Sequence, residues 1–340
     1  MRASAPRSPK AAIAASLFAK MSSINRDVAA LLAASRAAGS KPFEAMTPEE
    51  ARHAYLARRE IVQCPPDAVA EIRNVTIRGI NGGDLALRFY RGIGTDADAA
   101  LPCLLYLHGG GWVLGNLLSH GGVCCRLANE AGCWTVAADY RLAPEHPFPA
   151  ALDDSATALT WLTANAAEIR IDRERIAVGG DSAGGNLAAV LALMGRDGAV
   201  HRTMYQILLY PALDLDIGEH SYPATTDGMT ITGATMRYFV DLYLPRVSDR
   251  AGWRASPAKV ASLKGAPPAF ILSCGHDPLA DEGRRYAERL EREGIAVTAL
   301  HLSDQTHSIL TMDKVIAVTP SVLGFVGAML RDAWRPAAPT

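Results

Sequence analysis

Ile176-Ala177-Val178-Gly179-Gly180-Asp181-Ser182-Ala183-Gly184-Gly185-Asn186-Leu187-Ala188 passes from an apolar strand, through glycines, into a helical run. Within it, residues 180–184 form a GxSxG pentapeptide. In a strand–sharp turn–helix setting this pattern holds a serine on a strained apex with its hydroxyl exposed. Glycines two residues either side remove the clashes such a turn creates, and the helix N-terminus behind the serine favours developing negative charge. A glycine-rich helix start with a capping serine is the plainer reading of the pentapeptide taken alone. A second motif weighs against it.

That motif is His108-Gly109-Gly110-Gly111-Trp112, directly after the apolar strand Pro102–Leu107. An HGGG loop there brings backbone N–H groups to a substrate oxygen, completed by the N–H that follows the nucleophile. The expected oxyanion donors are therefore Gly109, Gly110 and Ala183, with His108 bracing the loop. No Gly-Lys dipeptide occurs, so a phosphate-binding P-loop is excluded, and Asp181 breaks the GxGxxG register around Ser182.

Working outward, strands and helices alternate. Strands are expected at Trp134–Ala138, Arg175–Gly179, Tyr205–Tyr210, Ala269–Cys274 and Ala296–Leu302. Helices are expected near Gly121–Ala131, Ser155–Ala166, Ala183–Met194, Leu279–Arg292 and Asp313–Arg331. Alternation of this kind implies an α/β fold, a mostly parallel sheet covered on both faces. Glu71–Gly79 and Asp84–Arg91, joined through Asn81-Gly82-Gly83, read as a hairpin at its antiparallel edge. Two stretches fall outside the alternation. One is helical from Ser23 to Val62, with Thr47-Pro48-Glu49-Glu50 as a helix start; the other is Leu215–Leu263, with Thr232 as a cap. The division expected is residues 1–65 as extension and cap helices, 66–214 and 264–340 as the catalytic domain, and 215–263 as a cap insertion.

Composition narrows the function. Lys+Arg total 34 against 35 Asp+Glu, and aromatics make up 6%. Neither a basic field nor stacking platforms are available, which excludes general nucleic-acid binding. Six cysteines without a CxxC pair read as reduced, mostly buried thiols in a cytoplasmic setting. No apolar run spans a membrane. Arg2, Arg7 and Lys10 ahead of residues 11–19 loosely imitate a signal peptide, but Lys20 follows at once and no cleavage site stands out, so an extension before Met21 is the preferred reading. No HExxH and no Cys/His ligand set points to a metal, and no cofactor is implied.

Together the HGGG loop, the GDSAGG elbow and Asp139-Tyr140-Arg141-Leu142-Ala143-Pro144-Glu145-His146-Pro147-Phe148-Pro149-Ala150-Ala151 resemble the hormone-sensitive-lipase-like branch of the α/β-hydrolases, from about Ile24 to the C-terminus. The resemblance implies a serine carboxylesterase acting on small esters of short-to-medium acyl chains, and a homodimer through the last strand and its neighbouring helix. From the residues alone the Asp139 segment is structural, with Arg141 paired to a carboxylate. Chain order in this fold is nucleophile, acid, histidine. Asp277, in Asp277-Pro278-Leu279, matches the family's acid, with a plain N-cap of the Leu279 helix as its other reading and Asp214 as the rival. His307 follows the last strand, whereas His301 lies within it and His276 on the acid loop. The family usually has glycine three before the histidine and an aromatic two after; here those are Asp304 and Ile309, which makes Asp304 a further competitor as orienter. Trp112, Asp181, Tyr210, Met229, Tyr238 and Ile309 are the expected substrate-pocket residues. Lactone hydrolysis or deacetylation by the same triad is the alternative. A ligand receptor on the same scaffold, as in the plant gibberellin receptors that lack the histidine, is disfavoured by His307.

Overall fold

A computed structural model describes residues 24–80, 82–217 and 228–335. The residues before Met21, Asn81 of the hairpin turn and part of the 215–263 insertion lie outside the described residues. An eight-stranded sheet has the order β1-β2-β4-β3-β5-β6-β7-β8. Its strands are β1 (Glu71–Arg78), β2 (Asp84–Arg91), β3 (Leu101–Leu107), β4 (Trp134–Ala138), β5 (Ile171–Asp181), β6 (Tyr205–Leu209), β7 (Ala269–His276) and β8 (Val297–Thr306). β1 and β2 are antiparallel, and β2 meets β4 antiparallel; the remaining pairs are parallel. β3, β4 and β6 are buried along their whole length, which is why they read as unbroken apolar runs and not as alternating ones.

Around the sheet run α1 (Arg26–Ala37), α2 (Pro48–Val62), α3 (Gly121–Ala131), α4 (Ala150–Ala164), α5 (Ala183–Arg196), α6 (Gly233–Tyr243), α7 (Ala280–Arg292) and α8 (Thr319–Ala333). Two apolar clusters, one per sheet face, form the core. One gathers Leu105, Val178, Leu187 and Leu191 with Phe239 of α6; the other gathers Leu104, Ile207, Leu127 and Val326 with Val28 of α1.

Four element boundaries differ from expectation by four residues or more, the first being β5, which starts at Ile171 and not Arg175. α4 begins at Ala150, ahead of Ser155, because Pro149 can occupy the cap position just before a helix. β8 runs on to Thr306 and brings the chain directly to His307. The last helix starts at Thr319 and not near Asp313, with Pro320 in its first turn; before it, Lys314 N–H donates to Val62 O and ties the chain to the end of α2.

The helical N-terminus and the 215–263 stretch meet each other. Thr232 caps α6 as expected, and Thr235 Oγ1 donates to Glu44 at 2.8 Å. The Phe43 ring lies 6.0 Å from that of Phe239. Arg52 of α2 donates to Val113 O and Ala143 O and pairs with Glu145, joining the N-terminal helix to the glycine loop and to the Asp139–Ala151 segment. Arg141 grips Asp154 through two nitrogens, the structural pairing expected of it. Five of the six cysteines are buried and all are free thiols. Among the described residues, no helix is long and apolar enough to cross a membrane.

Candidate active site

β5 ends at Asp181 and α5 begins at Ala183, so Ser182 occupies the turn between them with φ 56° and ψ −116°. A non-glycine residue in that region is strained by about 1–3 kcal/mol and must be held from outside. Its N–H donates to Leu209 O, and its carbonyl accepts from the N–H groups of Asn186 and Ala212. The flanking glycines are required by close approach: a Cβ on Gly184 would run into the Leu107 carbonyl, and one on Gly180 into Leu107 and Gly184.

Ser182 Oγ lies 2.9 Å from His307 Nε2, and His307 Nδ1 lies 2.7 Å from Asp277 Oδ2. All three side chains are buried. The other carboxylate oxygen, Asp277 Oδ1, accepts from Leu279 N–H at 2.8 Å, which fixes the carboxylate toward the imidazole. From behind, the Tyr210 ring packs against His307 with centroids 4.7 Å apart. This chain can move a proton from the serine hydroxyl to the imidazole and stabilise the resulting cation. The competitors stand elsewhere: Asp214 pairs with Lys259, Asp304 accepts from Asn25, and His301 Nδ1 meets Ser273 Oγ.

The glycine loop corrects one expectation. Gly109 N–H donates to Asp181 Oδ1 at 3.0 Å and is turned into the protein. Gly110 and Gly111 line a cavity of about 500 Å³, mouth included, whose floor carries Ser182 and His307. Their N–H groups have no protein partner among the described residues, so the loop's free donors are these two. Asp181 is corrected with it. Instead of lining a pocket it lies beneath the loop, accepting from Tyr106 Oη–H at 2.8 Å as well as from Gly109, with His120 Nε2 at 3.3 Å. Burial pushes its carboxyl pKa up, but His120 and Tyr106 outweigh burial and hold it below the ordinary value. His108 braces the loop as expected: its Nδ1 meets Gly109 O, its ring stacks on Tyr140, and Tyr140 Oη donates to its carbonyl. Burial, with His120 beside it, pushes the His108 pKa down to about 3, so it stays neutral near pH 7.

Of the expected pocket residues, only Trp112 lines this cavity, with its indole stacked on Tyr243. Tyr210 sits behind His307, and Met229 and Ile309 pack into the second core cluster. Tyr238 points the other way and donates to Met46 O. Its place is taken by Phe239 and Met236, because a helix turns about 100° per residue and presents the next position instead. Leu114, Thr230, Ile231 and Ser308 complete the inner wall, while Phe43, Tyr55 and Arg58 come from the N-terminal segment. Tyr55 and Arg58 are spaced i, i+3 on α2, a pattern readable in the sequence only once that face is known to meet Ser182. Among the described residues, no group of three or more His, Cys, Asp or Glu side chains is placed to hold a metal ion.

A family model described as alpha/beta hydrolase fold matches residues 104–311. An ethyl acetate hydrolase of Pseudomonas putida is 35% identical over 299 residues, covering 86% of this chain and 94% of its own. Carboxylesterase NlhH of Mycobacterium tuberculosis is 37% identical, covering 82% and 88%. Among solved structures, the Ser161Ala mutant of LAE6, an alpha/beta hydrolase enzyme from the metagenome of Lake Arreo, superposes with a TM-score of 0.87 at 36% identity, covering 92% and 98%. A hyperthermophilic esterase from the archaeon Pyrobaculum calidifontis gives a TM-score of 0.83 at 33% identity, covering 91% and 98%.

Proposed function

The chain belongs to the hormone-sensitive-lipase-like α/β-hydrolases, the carboxylic ester hydrolases, and from that premise we propose that it is a serine carboxylesterase working through Ser182, His307 and Asp277. The observation that carries the reading is the continuous Ser182–His307–Asp277 chain of hydrogen bonds at 2.9 and 2.7 Å, opening onto a largely apolar cavity. His307 Nε2 takes the Ser182 proton as the oxygen attacks the ester carbonyl. Asp277 holds the imidazole in the tautomer with hydrogen on Nδ1 and offsets the cation. Gly110, Gly111 and Ala183 N–H groups receive the oxyanion, in a site where one such donor contributes about 2.7–4 kcal/mol to the barrier. His307 returns the proton to the leaving alcohol, and water then releases the acid from the acyl-enzyme by the reverse steps.

The N-terminal helices and the α6 segment act as a lid over this cavity, and a homodimer through β8, one of the two edge strands of the sheet, and its neighbouring helix belongs to the same reading. Hydrolysis of p-nitrophenyl acetate through octanoate tests the core of it. Ser182→Ala and His307→Ala should each lose about three orders of magnitude or more in kcat. Folded variants that keep a tenth of the activity would remove the assignment.

A further inference from the structure

Most half-buried guanidiniums here hold a carboxylate: Arg52 has Glu145, Arg141 has Asp154, and Arg289 has Glu293. Arg58 does not. It is half-buried on α2 and lines the same cavity as Ser182 and His307, yet no carboxylate lies within 4.0 Å of it among the described residues. Its one side-chain bond runs from Nη2 to the Met312 thioether sulfur at 3.2 Å, a weak acceptor. The other donors of its fork are left for whatever enters the cavity. Burial pushes the guanidinium pKa down from its ordinary value, partly opposed by Tyr55, but an arginine remains a cation at neutral pH.

The rest of the wall makes this cation conspicuous. Phe43, Trp112, Leu114, Ile231, Met236 and Phe239 offer hydrocarbon. A wholly apolar substrate filling the space would strip water from Arg58 and supply nothing in return, which is costly for a buried charge. A carboxylate would be met by parallel N–H···O bonds, the strong pairing a guanidinium is shaped for. Resting on the esterase reading, we propose that Arg58 is a specificity-determining residue that binds a carboxylate on the substrate, so that the preferred substrates are esters carrying a free acid group a few bonds from the scissile carbonyl.

Matched pairs decide it. Monoethyl succinate against diethyl succinate places the charge on the acyl side; 4-acetoxybutanoate against its methyl ester places it on the alcohol side. With turnover followed by pH-stat at pH 7.5, the ratio of kcat/KM for the anionic over the neutral member should fall about tenfold or more in Arg58→Met for at least one pair, through KM. Arg58→Lys should recover part of the loss, and it serves as the second variant if Arg58→Met does not fold. A ratio unchanged within about twofold in both variants, for both pairs, overturns the proposal. A wild-type enzyme inert toward these four esters and toward p-nitrophenyl butyrate would instead refute the esterase reading. Calorimetric titration of Ser182→Ala with monoethyl succinate would still decide the anion site: about tenfold weaker binding on adding Arg58→Met upholds it, and unchanged binding overturns it.

Discussion

Asp181 is the side chain on which the glycine loop rests, and removing it should cost turnover more than substrate affinity. Its Oδ1 accepts from both Gly109 N–H, at 3.0 Å, and Tyr106 Oη–H, at 2.8 Å, in a fully buried setting. Asp181→Ala leaves two buried donors unpaired, at about 1–3 kcal/mol each, so about 2–6 kcal/mol of stability is at stake. With Gly109 released, the N–H groups of Gly110 and Gly111 lose their fixed direction. If the effect equals the loss of one oxyanion donor, kcat falls about 100- to 1,000-fold. KM should change less than kcat, because the cavity wall outside the glycine loop, with Phe43, Ile231, Met236 and Phe239, is untouched. Asp181→Asn separates position from charge: its amide oxygen can still accept from Gly109 and Tyr106, while the charge opposite His120 is gone. That variant should lose stability but keep kcat within about tenfold. The assay is p-nitrophenyl butyrate kinetics beside thermal unfolding and circular dichroism. A folded Asp181→Ala protein with kcat within about threefold of wild type would show that the Gly109–Asp181 bond does not hold the catalytic loop.

Two further outcomes follow from the same geometry. Burial raises the Glu282 carboxyl to about 8, against the hydrogen bonds from the Leu213 and Asp214 N–H groups that lower it. The fold therefore holds this proton more tightly than the unfolded chain does, so the contribution is full below about pH 4.5 and is lost as pH rises through about 8. Both N–H bonds end on Oε2, which a glutamine carbonyl can replace, so Glu282→Gln should flatten the fall in urea midpoint between pH 5 and 8.5; parallel profiles for the two proteins would refute the assignment. Phe239 lines the cavity and lies against Gly111, so Phe239→Leu should move the acyl-chain optimum toward longer p-nitrophenyl esters. An unmoved optimum would mean the acyl chain lies elsewhere.

The residues that meet at the floor of the site were legible because each group is written over a few consecutive residues. Ser182 and its glycines, the HGGG loop, Asp277 after β7 and His307 after β8 each sit at a strand end, and a parallel sheet brings all its C-terminal ends to one edge. What was misread depended on distant partners. Gly109 looks like its two glycine neighbours in sequence, and only the Asp181 carboxylate, 72 positions away, turns its N–H inward. Tyr238 and Phe239 are both aromatic, and choosing between them needs the helix rotation, which the Tyr238–Met46 and Phe43–Phe239 contacts set. The late start of α8, by contrast, was written locally in Pro320, which suits a helix's first turn and breaks its interior, while the Lys314–Val62 bond ties down the chain before it.

This difference has a physical origin. A strained apex residue must be fixed by backbone: Ser182 is held by Leu209, Asn186 and Ala212, groups whose positions follow from strand register and helix start. Backbone geometry of that kind demands glycine at particular offsets and so leaves a mark in the chain. The cavity wall makes no such demand. Phe43, Tyr55 and Arg58 reach it on segments fastened by side-chain contacts such as Thr235–Glu44 and Arg52–Glu145, which tolerate many residue types. On the proposed reading, substitution there changes what is hydrolysed more than how, because none of these residues holds Ser182, His307 or Asp277 in place. It follows that the selectivity of this chain has to be sought on α2 and α6, outside the motifs that announce its chemistry, and Arg58 is the residue in that wall whose charge the described protein leaves unanswered.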